Sequence, residues 1–143
     1  MPAAGQTLEQ VWFCGVHSDV GGGEPDDLPG TTALSDITLS WIMSKASALG
    51  LQIDQAMQAQ YAIPLDPKYS LDTLHGSWNV LCGFPRVRSI DQKATIANSV
   101  LLRYQHDSSY RPSNLTFDKG VLAAGYGTAP IVGQPEMVQA AGH

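Results

Sequence analysis

Basic residues are scarce in this sequence: 8 Lys and Arg stand against 13 Asp and Glu in 143 residues, and none of them gather into a stripe. A chain with no such stripe has little to neutralise a row of phosphates, which argues against nucleic acid as a partner. Cysteine is scarcer still. Cys14 and Cys82 are too few for a disulfide framework and lack the paired spacing of a zinc site, so both are expected as buried thiols. No apolar run approaches the ~20 residues that cross a bilayer. Met1 to Gln10 has neither the basic segment nor the apolar core of an export signal. The expectation is a soluble chain of unknown location, cytoplasmic unless exported by a route without a cleaved signal. No repeat or heptad appears, and no Gly-Lys-Ser/Thr or G-x-G-x-x-G motif marks a phosphate loop.

The stretch around which the chain is organised is Val11 to Gly23, V-W-F-C-G-V-H-S-D-V-G-G-G. A short apolar run rich in β-branched and aromatic residues fits a strand buried on both faces, so the sequence predicts a central strand over Val11 to Val16. A strand that ends in polar residues and glycines delivers those groups to the carboxyl edge of a sheet, where open α/β folds collect their ligands and catalytic groups. His17 falls at that edge. Gly21, Gly22 and Gly23 let the backbone turn sharply, and Glu24 to Thr32 (E-P-D-D-L-P-G-T-T) reads as a loop.

The best helical pattern follows. Ser35 is an N-cap type, Asp36 suits the first turn, Leu34 and Leu39 stand at staple positions, and Gly50 suits the carboxyl-terminal cap of a helix over Asp36 to Leu49. Ile37, Trp41, Ala48 and Leu49 fall near one face, flanked by Ile42 and Ala46. Gln55 to Tyr61 reads as a short helix, Pro64 to Ser77 as mostly loop, Trp78 to Pro85 as apolar without period, and Ala94 to Tyr104 as a second long helix. From Asp118 onwards Gly, Ala and Pro dominate, so 118–143 is expected to be a disordered tail behind a domain over 1–117.

The signature Val11 to Gly23, then Leu34-Ser35-Asp36-Ile37 leading to Trp41, then Ser99-Val100 with Arg103 and Tyr110-Arg111-Pro112-Ser113-Asn114-Leu115, resembles the α/β-hydrolase family that includes the type VI secretion phospholipase effectors of the first lipase class. The resemblance covers roughly Glu9 to Leu115 and is to the family's carboxyl-terminal portion. It implies an α/β fold: the last buried strand of a hydrolase, the helix after it, then loop-rich and helical segments. It implies a serine ester hydrolase acting on an ester or phospholipid substrate, with no cofactor or metal. His17 inherits the role of triad base, and the nucleophilic serine and triad aspartate are implied to lie upstream. Glu24 departs from the family, whose relatives often carry an aromatic residue there.

The residues of the signature carry other readings as well. Ser18 adjoins His17, but neighbours in extended chain point to opposite sides and Ser18 lacks the G-x-S-x-G elbow of an activated serine. Cys14, three positions before His17, fails on the same parity. Asp19 shares a face with His17 in extended chain and begins a two-ligand arrangement, without a third ligand at useful spacing, since His75, His106 and His143 are scattered. Its expected part is to satisfy backbone N–H groups in the glycine turn and support the His17 loop, together with Ser18, Gly21, Gly22 and Gly23.

Two classes of function remain. In the first, the chain is part of a lipase- or phospholipase-like serine hydrolase and contributes the triad histidine. In the second, it is a non-catalytic fragment or interaction module. Only one convincing buried strand is legible, so the missing sheet neighbours are expected from an upstream hydrolase segment or another chain.

Overall fold

The computed structural model describes residues 3–24, 31–76 and 87–134 of the chain. Strand β1 is Val11–Trp12, shorter than the predicted Val11 to Val16. It pairs in parallel with β2 (Thr95–Ala97), which pairs in parallel with β5 (Gly127–Ala129), giving the order β1-β2-β5. Three short parallel strands with helices between them make the described part an α/β arrangement. β2, not β1, is the middle strand, and its Ile96 and Ala97 are fully buried.

The signature strand therefore finds one neighbour, β2, within this chain, where the sequence shows only a single buried strand. Thr95-Ile96-Ala97 was hidden inside the helical pattern predicted for Ala94 to Tyr104. The helix α4 starts only at Asn98 and runs to His106 (Asn98–His106), because β2 turns directly into it.

Between β1 and β2 lie α1 (His17–Gly21), α2 (Leu34–Ala48), α3 (Gln55–Gln60) and a 3₁₀ turn (Pro67–Leu71). In α2, Asp36 caps the helix start: its Oδ2 accepts from the Ala33 N–H at 3.0 Å, so Ala33, not Ser35, is the N-cap. The predicted staple is absent, since Leu34 is buried within the helix whereas Leu39 is 38% exposed. The inward face is carried by Leu34, Ile37, Thr38 and Ser40, and Leu49 at the far end of the predicted stripe is 90% exposed. Gly50 follows the helix at φ +93°, the left-handed conformation expected of a residue that ends it. The Trp41 ring packs on Phe13 just after β1, with centroids 5.8 Å apart.

The stretch from Asp118, expected to be disordered, is ordered as far as residue 134. Phe117–Asp118 (β3) and Val121–Leu122 (β4) form an antiparallel hairpin, β5 joins the main sheet, and Ile131 and Val132 are buried in the core. Asn98 ties this stretch down: its Oδ1 accepts from the Ile131 and Val132 N–H groups at 2.9 and 3.1 Å, and its Nδ2 donates to the Val132 carbonyl at 2.6 Å. Leu65 extends the tie, donating to the Ile131 carbonyl at 3.0 Å and accepting from the Gly133 N–H at 2.7 Å. Ile37, Ile96, Val100 and Ile131 form the centre of the core, with Cys14 at its edge toward the loop after β1. The apolar stretch Trp78 to Pro85, and Cys82 with it, lie outside the described residues.

Candidate active site

All three parallel strands send their carboxyl ends to one side of the sheet, and the chain leaving β1 builds the candidate site there. After Trp12 it does not stay extended. Phe13 to Val16 form a bend, and the five-residue helix α1 begins at His17. Asp19 is the third residue of that helix, and its Oδ2 accepts from the Val16 N–H at 2.9 Å, which closes the first turn.

This tight return is possible because residue 15 is glycine. Gly15 has φ +105°, and a Cβ there would stand 2.3 Å from Asp19 Cβ and 2.6 Å from its Oδ2. No side chain fits in that gap.

Asp19 is 3% exposed, and its other partner comes from far along the chain. His75 Nδ1 lies 2.6 Å from Asp19 Oδ1, and the His75 backbone N–H points at both carboxylate oxygens at 3.3 Å. The carboxylate therefore receives donors from the α1 start and from both the ring and the backbone of His75. A carboxylate on Nδ1 makes that nitrogen the protonated one, so Nε2 is the basic nitrogen of the ring. The two residues share the wall of a cavity of about 270 Å³ with Thr31, Thr32, Ala33, Leu34, Asp72 and Thr73. Within that wall the Thr32 hydroxyl donates to the Asp72 carboxylate.

The other predicted site residues are distributed differently. His17 is exposed at the first position of α1, and among the described residues its ring has no carboxylate partner. The Ser18 hydroxyl donates to the Glu24 carboxylate across the glycine turn. Gly21 ends α1, Gly22 donates its N–H to the Ser18 carbonyl at 2.7 Å, and Gly22 and Gly23 both have positive φ. Asp19 accepts backbone N–H groups from Val16 and His75, not from the glycine turn for which it was expected. Its link to His75 has no signal in spacing, since 56 positions separate the two.

Cys14 is buried, and desolvation pushes its thiol up to about 11, so it is not poised as a nucleophile. Among the described residues no group of three His, Cys, Asp or Glu side chains is arranged to hold a metal ion, and no helix is long and apolar enough to cross a membrane.

Against this geometry, comparison with known proteins is informative over one segment. Residues 2–45 match the family described as type VI secretion system phospholipase effector Tle1-like, catalytic domain. That segment runs from the lead-in through β1 and α1 into α2, and so includes Gly15 and Asp19 but not His75. Over 45 residues the chain is also 44% identical to the uncharacterized protein YEL023C of Saccharomyces cerevisiae; the aligned part is 32% of this chain and 7% of that protein. No solved structure matches the chain. The family resemblance read from the signature is thus supported over the first third of the chain.

Proposed function

We propose that this chain supplies the aspartate and histidine of a serine ester hydrolase that acts on phospholipids or related esters, with Asp19 as the orienting carboxylate and His75 as the base. The observation that carries this is the 2.6 Å contact between a fully buried Asp19 side chain and His75 Nδ1 beside a cavity. A triad base needs a carboxylate on one nitrogen, so that the other faces the nucleophile in the correct tautomer. His75 meets that requirement, whereas among the described residues His17 has no carboxylate partner. The base role inherited by His17 from the resemblance therefore passes, in this reading, to His75, and the aspartate sought upstream is Asp19.

The chemistry then follows. His75 Nε2 takes the proton of the nucleophilic hydroxyl as its oxygen attacks the ester carbonyl, and the buried Asp19 stabilises the imidazolium. The ring returns that proton to the leaving alcohol. In the second half, Nε2 deprotonates a water that attacks the acyl-enzyme, and the proton passes to the departing serine oxygen. The 143 residues hold no Gly-x-Ser-x-Gly elbow, so in this reading a segment outside them provides the serine.

A double-mutant cycle in the polypeptide that carries the elbow tests the pairing. If Asp19 works through His75, Asp19→Asn and His75→Ala together lose little more rate than His75→Ala alone. Additive losses would mean that the two side chains act independently.

A further inference from the structure

Arg103 is 5% exposed, a position at which an arginine is rare unless its donors are satisfied. It projects from the second turn of α4, the helix that leaves the middle strand. Its Nη1 donates to the Ser70 carbonyl at 3.1 Å and to the Asp72 carbonyl at 2.7 Å. Its Nε faces Asp107 Oδ2 at 3.5 Å, an ion pair without hydrogen-bond geometry, and the guanidinium lies 5.7 Å from the Tyr110 ring centroid.

The two carbonyls it holds close the 3₁₀ turn Pro67–Leu71 and begin the segment that ends at His75. Between Asp72 and His75 there are only Thr73 and Leu74, both exposed, so no buried side chain anchors the intervening chain. His75 is thus fixed from two sides. Asp19 holds its ring and N–H, and Arg103 holds the backbone three residues before it, with the Thr32 hydroxyl adding a contact to the Asp72 carboxylate.

We propose that Arg103 is a positioning residue for His75: by clamping the Ser70 and Asp72 carbonyls to α4, it sets the height at which the imidazole meets Asp19. Both bonds come from Nη1 at the tip of the guanidinium, one atom farther from the backbone than a lysine ammonium reaches, so a lysine on its flexible stem does not reproduce them. The proposal rests on the reading of His75 as the base, and its test separates the two.

The experiment follows the His75 ring by NMR in the intact chain, through a downfield Nδ1–H signal. In the unaltered chain the Nδ1–H signal is expected, and Asp19→Asn abolishes it. If it is missing, or survives Asp19→Asn, the reading of the Asp19–His75 pair fails and the proposal with it. Arg103→Lys and Arg103→Met are expected to keep the circular dichroism of the fold yet lose the Nδ1–H signal. Retention of the native signal in both folded variants overturns the positioning role alone. Should the methionine variant fail to fold, the lysine variant decides. Warming the unaltered chain provides a check without substitution: the Arg103 guanidinium and His75 Nδ1–H signals disappear together if the clamp holds the ring. Early loss of the arginine signals with His75 still bonded overturns the proposal.

Discussion

Asp19 Oδ1 and His75 Nδ1 lie 2.6 Å apart although 56 positions separate them in the sequence. The contact joins the start of α1 to a loop that Arg103 ties to α4.

Gly15 is the backbone condition for that contact. Gly15→Ala places a Cβ against Asp19 Cβ in a left-handed backbone conformation, and the expected loss is about 2 kcal/mol or more from strain and displacement together. Urea unfolding with two probes measures it. Gly21→Ala, at a position where a Cβ meets nothing within 4 Å, is the control and should be close to neutral.

Stability should fall at alkaline pH through Cys14. Burial raises its pKa from 9.0 to about 11, so between those values the unfolded chain has lost the proton while the folded chain keeps it. The folded state therefore loses stability as pH rises through this window, by about 1.4 kcal/mol per pH unit for one proton. Tyr110, whose hydroxyl is also pushed up by burial, adds to the fall at higher pH. Cys14→Ala should reduce the slope of stability against pH between 9 and 11 by about one proton. An unchanged slope would mean that the thiol is solvated.

Asn98 tests the ordering of the stretch beyond residue 117. Asn98→Ala leaves the Ile131 and Val132 N–H groups without their acceptor, at a cost on the order of 2–4 kcal/mol for two buried donors. Amide exchange at Ile131 and Val132 should accelerate far more than at Ile96. Equal protection before and after the substitution would contradict the packing described.

These residues also explain what the sequence reveals and what it conceals. The Val11 to Gly23 stretch is legible as a strand leading into a site because apolar run, polar break and glycines are contiguous. The parity argument applied to His17 and Asp19 assumes extended chain, but the strand stops at Trp12 and residues 17–21 are helical. Side chains two apart in a helix do not share a face, and Asp19 turns inward while His17 turns out. β2 is three residues long and runs straight into α4, so its apolar residues merge with the helical period. β5 is Gly-Thr-Ala, with no strand signal of its own; pairing with β2 and the Asn98 tie hold it in place. The importance of His75 depends on a contact made in three dimensions, which one-dimensional spacing does not carry.

The central claim is that His75, not His17, is the base. The most direct measurement is the hydrolysis rate of a phospholipid ester by a polypeptide that joins this chain to a nucleophile elbow, with His75→Ala and His17→Ala compared side by side. The account predicts a loss of several powers of ten in kcat for His75→Ala, with folding preserved, and a change of less than about tenfold for His17→Ala. A large loss for His17→Ala beside near-normal turnover for His75→Ala would contradict it.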